Sequence, residues 1–315
     1  MFLARRLAQA ALVLWLLVTA MFVALQWLPG GPAAFLADPE FESPERITQI
    51  ERNLGLDRPL LVQYEGYLAG LLHGELGWSP HQNAPVARLI GERLGPSLLL
   101  MATAFTLALV VGTAWGTLAA WHARGPVGAL LDAVPVLAVT APGFWIGLLL
   151  IYVLAIELRL LPSGGMLPPG SEASPWLVLR HLILPTVVLA LPWVGTFALY
   201  TRSSLRAILV SDYLRTAWAK GLADRGVLWQ HALPNAAIPL VTMAGISIPH
   251  LLGNAVVVEQ LFAWPGIGRL AVESLLRRDY PVMLGIVLVV GLAAILANLV
   301  ADVVYHLVDP GVRVE

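Results

Sequence analysis

Cysteine is absent, which excludes disulfides, zinc–thiolate sites and iron–sulfur clusters. Charge is scarce as well. Asp, Glu, Lys and Arg make up 12% of the 315 residues, against about 25% in a soluble domain, so the chain reads as an integral membrane protein. Its net charge of −1 offers no basic surface to a nucleic acid. The seven histidines are scattered and form no HExxH, so zinc hydrolase chemistry has no support. There is no GxSxG, and no serine–histidine pair in a recognisable setting. Asp132 and Asp302 lie near the ends of apolar runs without a GxGD context, which leaves intramembrane aspartyl chemistry unsupported. A single lysine occurs, Lys220, and Gly221 follows it. A Walker A loop needs lysine followed by Ser or Thr after a glycine-rich turn, so the chain contains none.

Apolar runs of membrane length fill the chain instead. Hydrophobic residues make up 58% and gather in six segments, roughly 7–28, 97–121, 129–156, 177–200, 236–258 and 281–304. Each is near the ~20 residues that a helix needs to cross a bilayer. Backbone polar groups in lipid must be satisfied internally, so these segments are expected to be helices and the protein all-α. Arg5 and Arg6 precede the first run, which is longer than the ~7–15 apolar residues of a signal-peptide core and reads as an uncleaved span. Arg180 and His181 near the start of the fourth run are expected to snorkel to the interface. Short basic loops near span ends favour the inner side, which places the N-terminus and the loop 201–235 in the cytoplasm. Six spans return the C-terminus there. The resulting organisation is an N-terminal tip and first span at 1–28, an outer loop region at 29–96, a membrane core at 97–304 and a tail at 305–315.

Small residues four apart, Gly112 with Gly116 and Gly143 with Gly147, predict close helix packing. Pro135, Pro142, Pro185, Pro192 and Pro249 are candidate kinks.

The one long polar interruption among the later spans is Asp212–Pro239, DYLRTAWAKGLADRGVLWQHALPNAAIP. It reads as two short helices around a turn. Ser211 or Asp212 is positioned to cap the first helix and Asp224 the second, which is expected to end near Leu233, before Pro234. Gly221 stands where a left-handed C-cap falls. Tyr213, Leu214, Ala217 and Trp218 recur at helical spacing beside Arg215, Lys220 and Arg225. An amphipathic helix pair at a membrane surface is suited to docking on another protein.

These residues resemble the cytoplasmic loop of ABC importer permeases, in which Leu-Pro follows a glycine at a set distance. Here Leu233 and Pro234 follow Gly221, with Pro234 thirteen residues on. The peptide and nickel branch carries D-Y-x-R-T-A-x-A-K-G-L, matched by Asp212, Tyr213, Arg215, Thr216, Ala217, Ala219, Lys220, Gly221 and Leu222. Its H-x-L-x-N-A is similar at His231, Leu233, Asn235 and Ala236; Trp218 stands where arginine is common. Glu259, Phe262, Pro265, Gly266 and Gly268 match E-x-x-F-x-x-P-G-x-G, and RDYP at 278–281 and Asn298 to Arg313 resemble the last span and tail, with Gly311 in place of an arginine. LPGGPA at 28–33, LGLDRPLLVQY at 54–64 and GELGWS at 74–79 resemble the outer loop of the same branch, so the likeness runs along nearly the whole chain.

The resemblance implies a type I ABC importer permease fold with a long first extracytoplasmic loop, in the inner membrane of a bacterium or archaeon. It also implies a second permease subunit, two ABC ATPase subunits and an extracytoplasmic solute-binding protein, with no cofactor in this chain and with ATP and Mg on the ATPases. Asp212, Tyr213, Arg215, Thr216, Ala217, Lys220, Gly221, Leu222 and Pro234 are the expected ATPase-coupling residues. The branch carries di- and oligopeptides, or nickel and metal chelates; peptide is the first choice.

Polar residues inside a membrane are functional candidates by default, which singles out His250, Asn254 and Glu259 for the substrate pathway. His250 and Asn254 are four apart and share a helix face; interhelical hydrogen bonding is the alternative role. Glu259 is equally placed to brace the turn that follows it. The outer loop is open to two compatible readings, a structural lid and a dock for the binding protein. A secondary transporter would carry buried coupling charges and often repeats, and neither is visible.

Overall fold

The structure is a computed structural model and describes residues 2–27, 52, 57–122, 125–168, 170–172 and 174–308. The elements follow from the apolar runs. Helix α1 (Phe2–Trp27) is followed by α2 (Leu60–Leu72) and by a short antiparallel hairpin of β1 (Trp78–Ser79) and β2 (Ala84–Pro85). Its register pairs Trp78 with Pro85 and Ser79 with Ala84. Next come α3 (Val86–Trp121), α4 (Gly125–Thr140) and α5 (Gly143–Leu150), which widens into a π stretch at Ile151–Glu157. Helix α6 (Pro175–Leu209) leads to α7 (Asp212–Ala219) and the single turn α8 (Asp224–Gly226). A second π stretch, Val227–Ala232, runs into α9 (Leu233–Leu261), followed by α10 (Ile267–Leu276) and α11 (Tyr280–Val308).

Among the described residues, four helices are long and apolar enough to cross a membrane: α1, α3, α6 and α11. Two bent pairs raise the number to six if each is one span. One is α4 with α5 and its π stretch, meeting at 101°; the other is α9, bent by 46° between Gly245 and Ser247. The expected third span, 129–156, is therefore two helices. Pro142 sits at the break in extended backbone, φ −61° and ψ 118°, because proline biases the residue before it away from the helix and cannot donate to one. Pro185 and Pro192 stay inside an unbroken α6.

Two boundaries differ from the expected ones. Helix α3 begins at Val86, so residues 86–96 of the expected outer loop are helical, with Pro96 inside the helix. Its first turns carry Val86 and Ile90 at helical spacing, and both are buried against Ile267, Leu270, Val282 and Ile286. Burying each such side chain is worth about 1.5–3 kcal/mol, which offsets the roughly 3 kcal/mol that an interior proline costs. Helix α6 runs to Leu209, so the first nine residues of the expected loop 201–235 extend the fourth span. LPGGPA, Leu54–Leu56 and the residues from Asp309 onward lie outside the described residues.

The packing divides the chain into two compact units, 1–96 with 266–295, and 97–265 with 296–315. In the first, the Phe22 and Tyr64 rings meet edge to face at 5.2 Å, and the Ser79 hydroxyl donates to the Asp279 carboxylate at 2.5 Å. Both of these polar residues are buried. In the second, Leu100, Leu184, Leu189, Phe197, Leu251 and Trp264 belong to the main apolar cluster. The backbones of α3 and α6 touch there: a Cβ at Gly112 would lie 2.7 Å from the Phe197 Cβ, and one at Gly116 would lie 2.6 Å from the Thr201 Cβ. The pair Gly112 and Gly116 thus serves packing within the chain. Gly147 packs against the Leu261 side chain, whereas a Cβ at Gly143 would meet nothing within 4 Å.

His181 does not snorkel. It is buried, and its Nδ1 lies 3.0 Å from the Gly164 carbonyl oxygen. Arg180 donates to the Leu160 carbonyl at 3.0 Å. A buried ring nitrogen left without a partner is costly, and the Gly164 carbonyl supplies one.

Candidate coupling site

The polar interruption folds as a short helix seated on a small apolar cluster. An eight-residue helix is not stable alone in water, so α7 depends on the face it buries. That face consists of Leu214 and Ala217, packed with Ala120, Leu205, Val227, Ala232 and Ala236. Full burial of Leu214 is worth about 1.5–3 kcal/mol. The opposite face is open: Asp212, Tyr213, Arg215, Thr216, Ala219 and Lys220 are exposed. Tyr213, Thr216 and Lys220 follow one another at i, i+3 and i+7 and form a single outward row. Arg215 pairs with Asp212 at 3.3 Å, but their side chains are 72% and 95% exposed and the pair adds little stability.

The helix ends in a Schellman cap. Gly221 takes φ +83°, its N–H donates to the Trp218 carbonyl at 2.9 Å, and the Leu222 N–H reaches the Ala217 carbonyl at 3.4 Å. An added Cβ at Gly221 would meet nothing within 4 Å, so the backbone angle and not space calls for glycine. Leu222 is exposed beyond the cap.

Three local expectations are corrected. The Ser211 hydroxyl does not cap α7; it donates back at 2.5 Å to the Ile208 carbonyl, which also accepts the Ser211 N–H at 2.9 Å. Ala223, not Asp224, holds the N-cap position of α8, and the Asp224 carboxylate accepts the Trp218 Nε1–H at 3.0 Å. The chain does not stop before Pro234. It passes without a break through the π stretch into α9, and Pro234 sits exposed at the second residue of α9.

Of the nine expected coupling residues, the structure leaves Asp212, Tyr213, Arg215, Thr216, Lys220, Gly221, Leu222 and Pro234 exposed. Ala217 is 7% exposed and packs in the chain's own cluster. The three pathway candidates separate. His250 and Asn254 are exposed along α9, with Gly253 and Val257 on the same stripe. The His250 ring lies 6.3 Å from that of Trp193. Glu259 is 1% exposed and accepts the Ser97 hydroxyl at 2.6 Å.

A cavity of about 410 Å³ is lined by Phe105, Leu109, Thr113, Leu240, Ile248 and neighbouring small residues. Its walls carry no charged side chain and offer nothing to the termini of a peptide. No group of three or more His, Asp or Glu that could hold a metal occurs among the described residues.

Residues 112–314 match the profile of the binding-protein-dependent transport system inner membrane component, and residues 1–96 match the N-terminal profile of the same kind of component. The chain belongs to this permease family. A glutathione transport system permease of Escherichia coli is 39% identical over 310 residues, 98% of this chain and 97% of that protein. An oligopeptide transport system permease of Bacillus subtilis is 38% identical over 295 residues, 93% of this chain and 92% of that one. A chain of the inward-facing methionine ABC transporter MetNI shares the fold, with a TM-score of 0.58 at 16% identity, over 70% of this chain and 96% of that chain. The fold is thus that of a type I ABC importer permease.

Sequence reasoning missed a charge cluster in this family member. Asp132 on α4 pairs with Arg202 on α6 and lies 3.7 Å from Arg206, which also donates to the Ala119 carbonyl of α3 at 3.4 Å. Arg202 and Arg206 are four apart on one helix face, a signal the sequence did carry; their partner lies seventy residues earlier, which it did not.

Proposed function

We propose that this chain is one of two membrane-spanning subunits of an ATP-driven ABC importer that passes di- and oligopeptides inward. The observation that carries the reading is α7, held on the core by Leu214 and Ala217 while Tyr213, Arg215, Thr216 and Lys220 face outward. A partner that grips this exposed row moves the cluster beneath it, and through Val227, Ala232 and Ala236 moves α9. Rigid-body displacement of that kind switches a helix bundle between inward- and outward-facing states.

The gripping partners are two ABC ATPase subunits, which hold ATP and Mg. The lysine of this chain is followed by glycine, so hydrolysis belongs to them. A homologous permease subunit completes the membrane part, and an extracytoplasmic binding protein delivers the solute. The names of relatives that transport oligopeptides and glutathione support a peptide cargo. The setting is the inner membrane of a bacterium or archaeon, with both termini and 212–234 on the cytoplasmic side. His250 and Asn254, exposed on one stripe of α9, and buried Glu259 beyond them are the pathway candidates, with bracing of the following turn the other role open to Glu259.

The test is native co-purification from the organism's own membranes, with an ATPase assay on the eluate. Recovery of a second permease and Walker-type ATPases is expected. Titrating the associated binding protein with peptides and with nickel chelates separates peptide from metal-chelate cargo. A chain that emerges alone and without ATPase activity sinks the reading and favours ion-coupled transport.

A further inference from the structure

We propose that Trp218 and Asp224 form a positioning staple, holding α7 at a set angle to α8 so that movement of α7 reaches α9 and is not absorbed at the Gly221 turn. This rests on the coupling role proposed for α7. The turn between the two helices, Lys220–Ala223, is exposed throughout, and at Gly221 no atom stands within 4 Å of an added Cβ. A turn so open, pivoting on glycine, bends easily. Two attachments lie on either side of it. Leu214 and Ala217 before the turn, and Val227 and Ala232 after it, pack into one apolar cluster.

The Trp218 ring is half-buried against that cluster, so the packing holds it in place. Its N–H, which can only donate, meets Asp224 Oδ1 at 3.0 Å across six residues of chain. Asp224 is the first residue of α8, where a carboxylate also suits the positive end of the helix. One contact below the turn and one across it restrict rotation between α7 and the π stretch. Trp218 touches no cargo; it acts through the angle of its helix.

The assay uses the complete importer from its own membranes and the binding protein isolated from the same cells. It reads ATP hydrolysis with and without that binding protein. Trp218→Phe keeps a ring in the cluster and removes the donor. Stimulation by the binding protein is expected to fall about fivefold or more, the lower end of ordinary coupling between sites. Asp224→Ala is expected to show the same loss, and the double variant no further loss, since the two residues act as one contact. Trp218→Arg, whose guanidinium also donates to a carboxylate, is expected to regain most of the stimulation. Unchanged stimulation in the Phe variant, or losses that add in the double variant, overturns the staple. A Phe variant that sheds its ATPases also overturns it, by placing the indole N–H on the partner. A wild-type chain that carries no ATPases at all removes the coupling reading itself.

Discussion

Helices α7 and α10 are both short, and both end in the same cap. In α7 the residue at positive φ is Gly221; in α10 it is Arg278, at φ +57°. Around Arg278 the bonds repeat the Schellman pattern, from the Arg278 N–H to the Leu275 carbonyl at 3.2 Å and from the Asp279 N–H to the Ser274 carbonyl at 2.8 Å. A left-handed non-glycine residue costs roughly 1–2 kcal/mol. The next residue shows what holds it: Asp279 is 2% exposed and accepts the hydrogen bond of buried Ser79. No such pin follows Gly221, where Leu222 is exposed. One turn is strained and fastened by a buried pair, the other unstrained and bridged only by the exposed Trp218–Asp224 contact.

The strongest way to break the contrast is Gly221→Pro. Proline fixes φ near −65°, opposite in sign to +83°, and removes the N–H that closes the cap, a local cost of about 3 kcal/mol or more. The chain is expected to remain in the membrane while uptake is lost. Membrane yield and transport measured together check this, and normal uptake would count against the assigned role.

Asp279→Ala should weigh next. It strips the partner from a buried serine donor, although the Gln82 N–H still reaches the Ser79 oxygen at 3.0 Å. The expected loss of stability is about 1–3 kcal/mol, read as a lower unfolding temperature of the purified protein, with Asp279→Asn milder.

Ala217→Leu comes third, at about 1–3 kcal/mol from overpacking the cluster under α7, with coupling impaired while the chain stays inserted. Ala219→Leu, on the open face, should leave stability within about 0.5 kcal/mol. Equal effects of the two would deny that α7 has an inner and an outer side.

The smallest pair sharpens the comparison by sign. Gly221→Ala is expected to destabilise by about 1 kcal/mol, through φ alone, since there is room for the methyl group. Arg278→Gly is expected to relieve strain and be neutral or slightly stabilising, because the gain in φ freedom is opposed by unfolded-chain entropy. Thermal unfolding of both variants under one set of conditions measures the difference.

Much of this could be read before any fold was known. Scarce charge and six apolar runs specified a helical membrane protein, because lipid leaves the backbone no partner outside its own helix. The spacing from Gly221 to Pro234 and the helical period of Leu214, Ala217 and Trp218 marked the candidate site, since helical period and a glycine cap are local properties, although Tyr213, expected on the apolar face with them, is exposed. Packing decided the rest. Ala217 turned inward because the cluster of Leu205, Val227 and Ala232 lies on that side of α7. Glu259 went into the core because Ser97, 162 residues away, donates to it there. Pro96 stayed inside a helix because distant Leu270 and Val282 cover Val86 and Ile90. Asp132 found Arg202 across seventy residues. Periodicity and turn chemistry depend on neighbours along the chain, so they are written in it. The partner of a buried polar group and the facing of a short helix depend on neighbours in space, and only the folded chain supplies those.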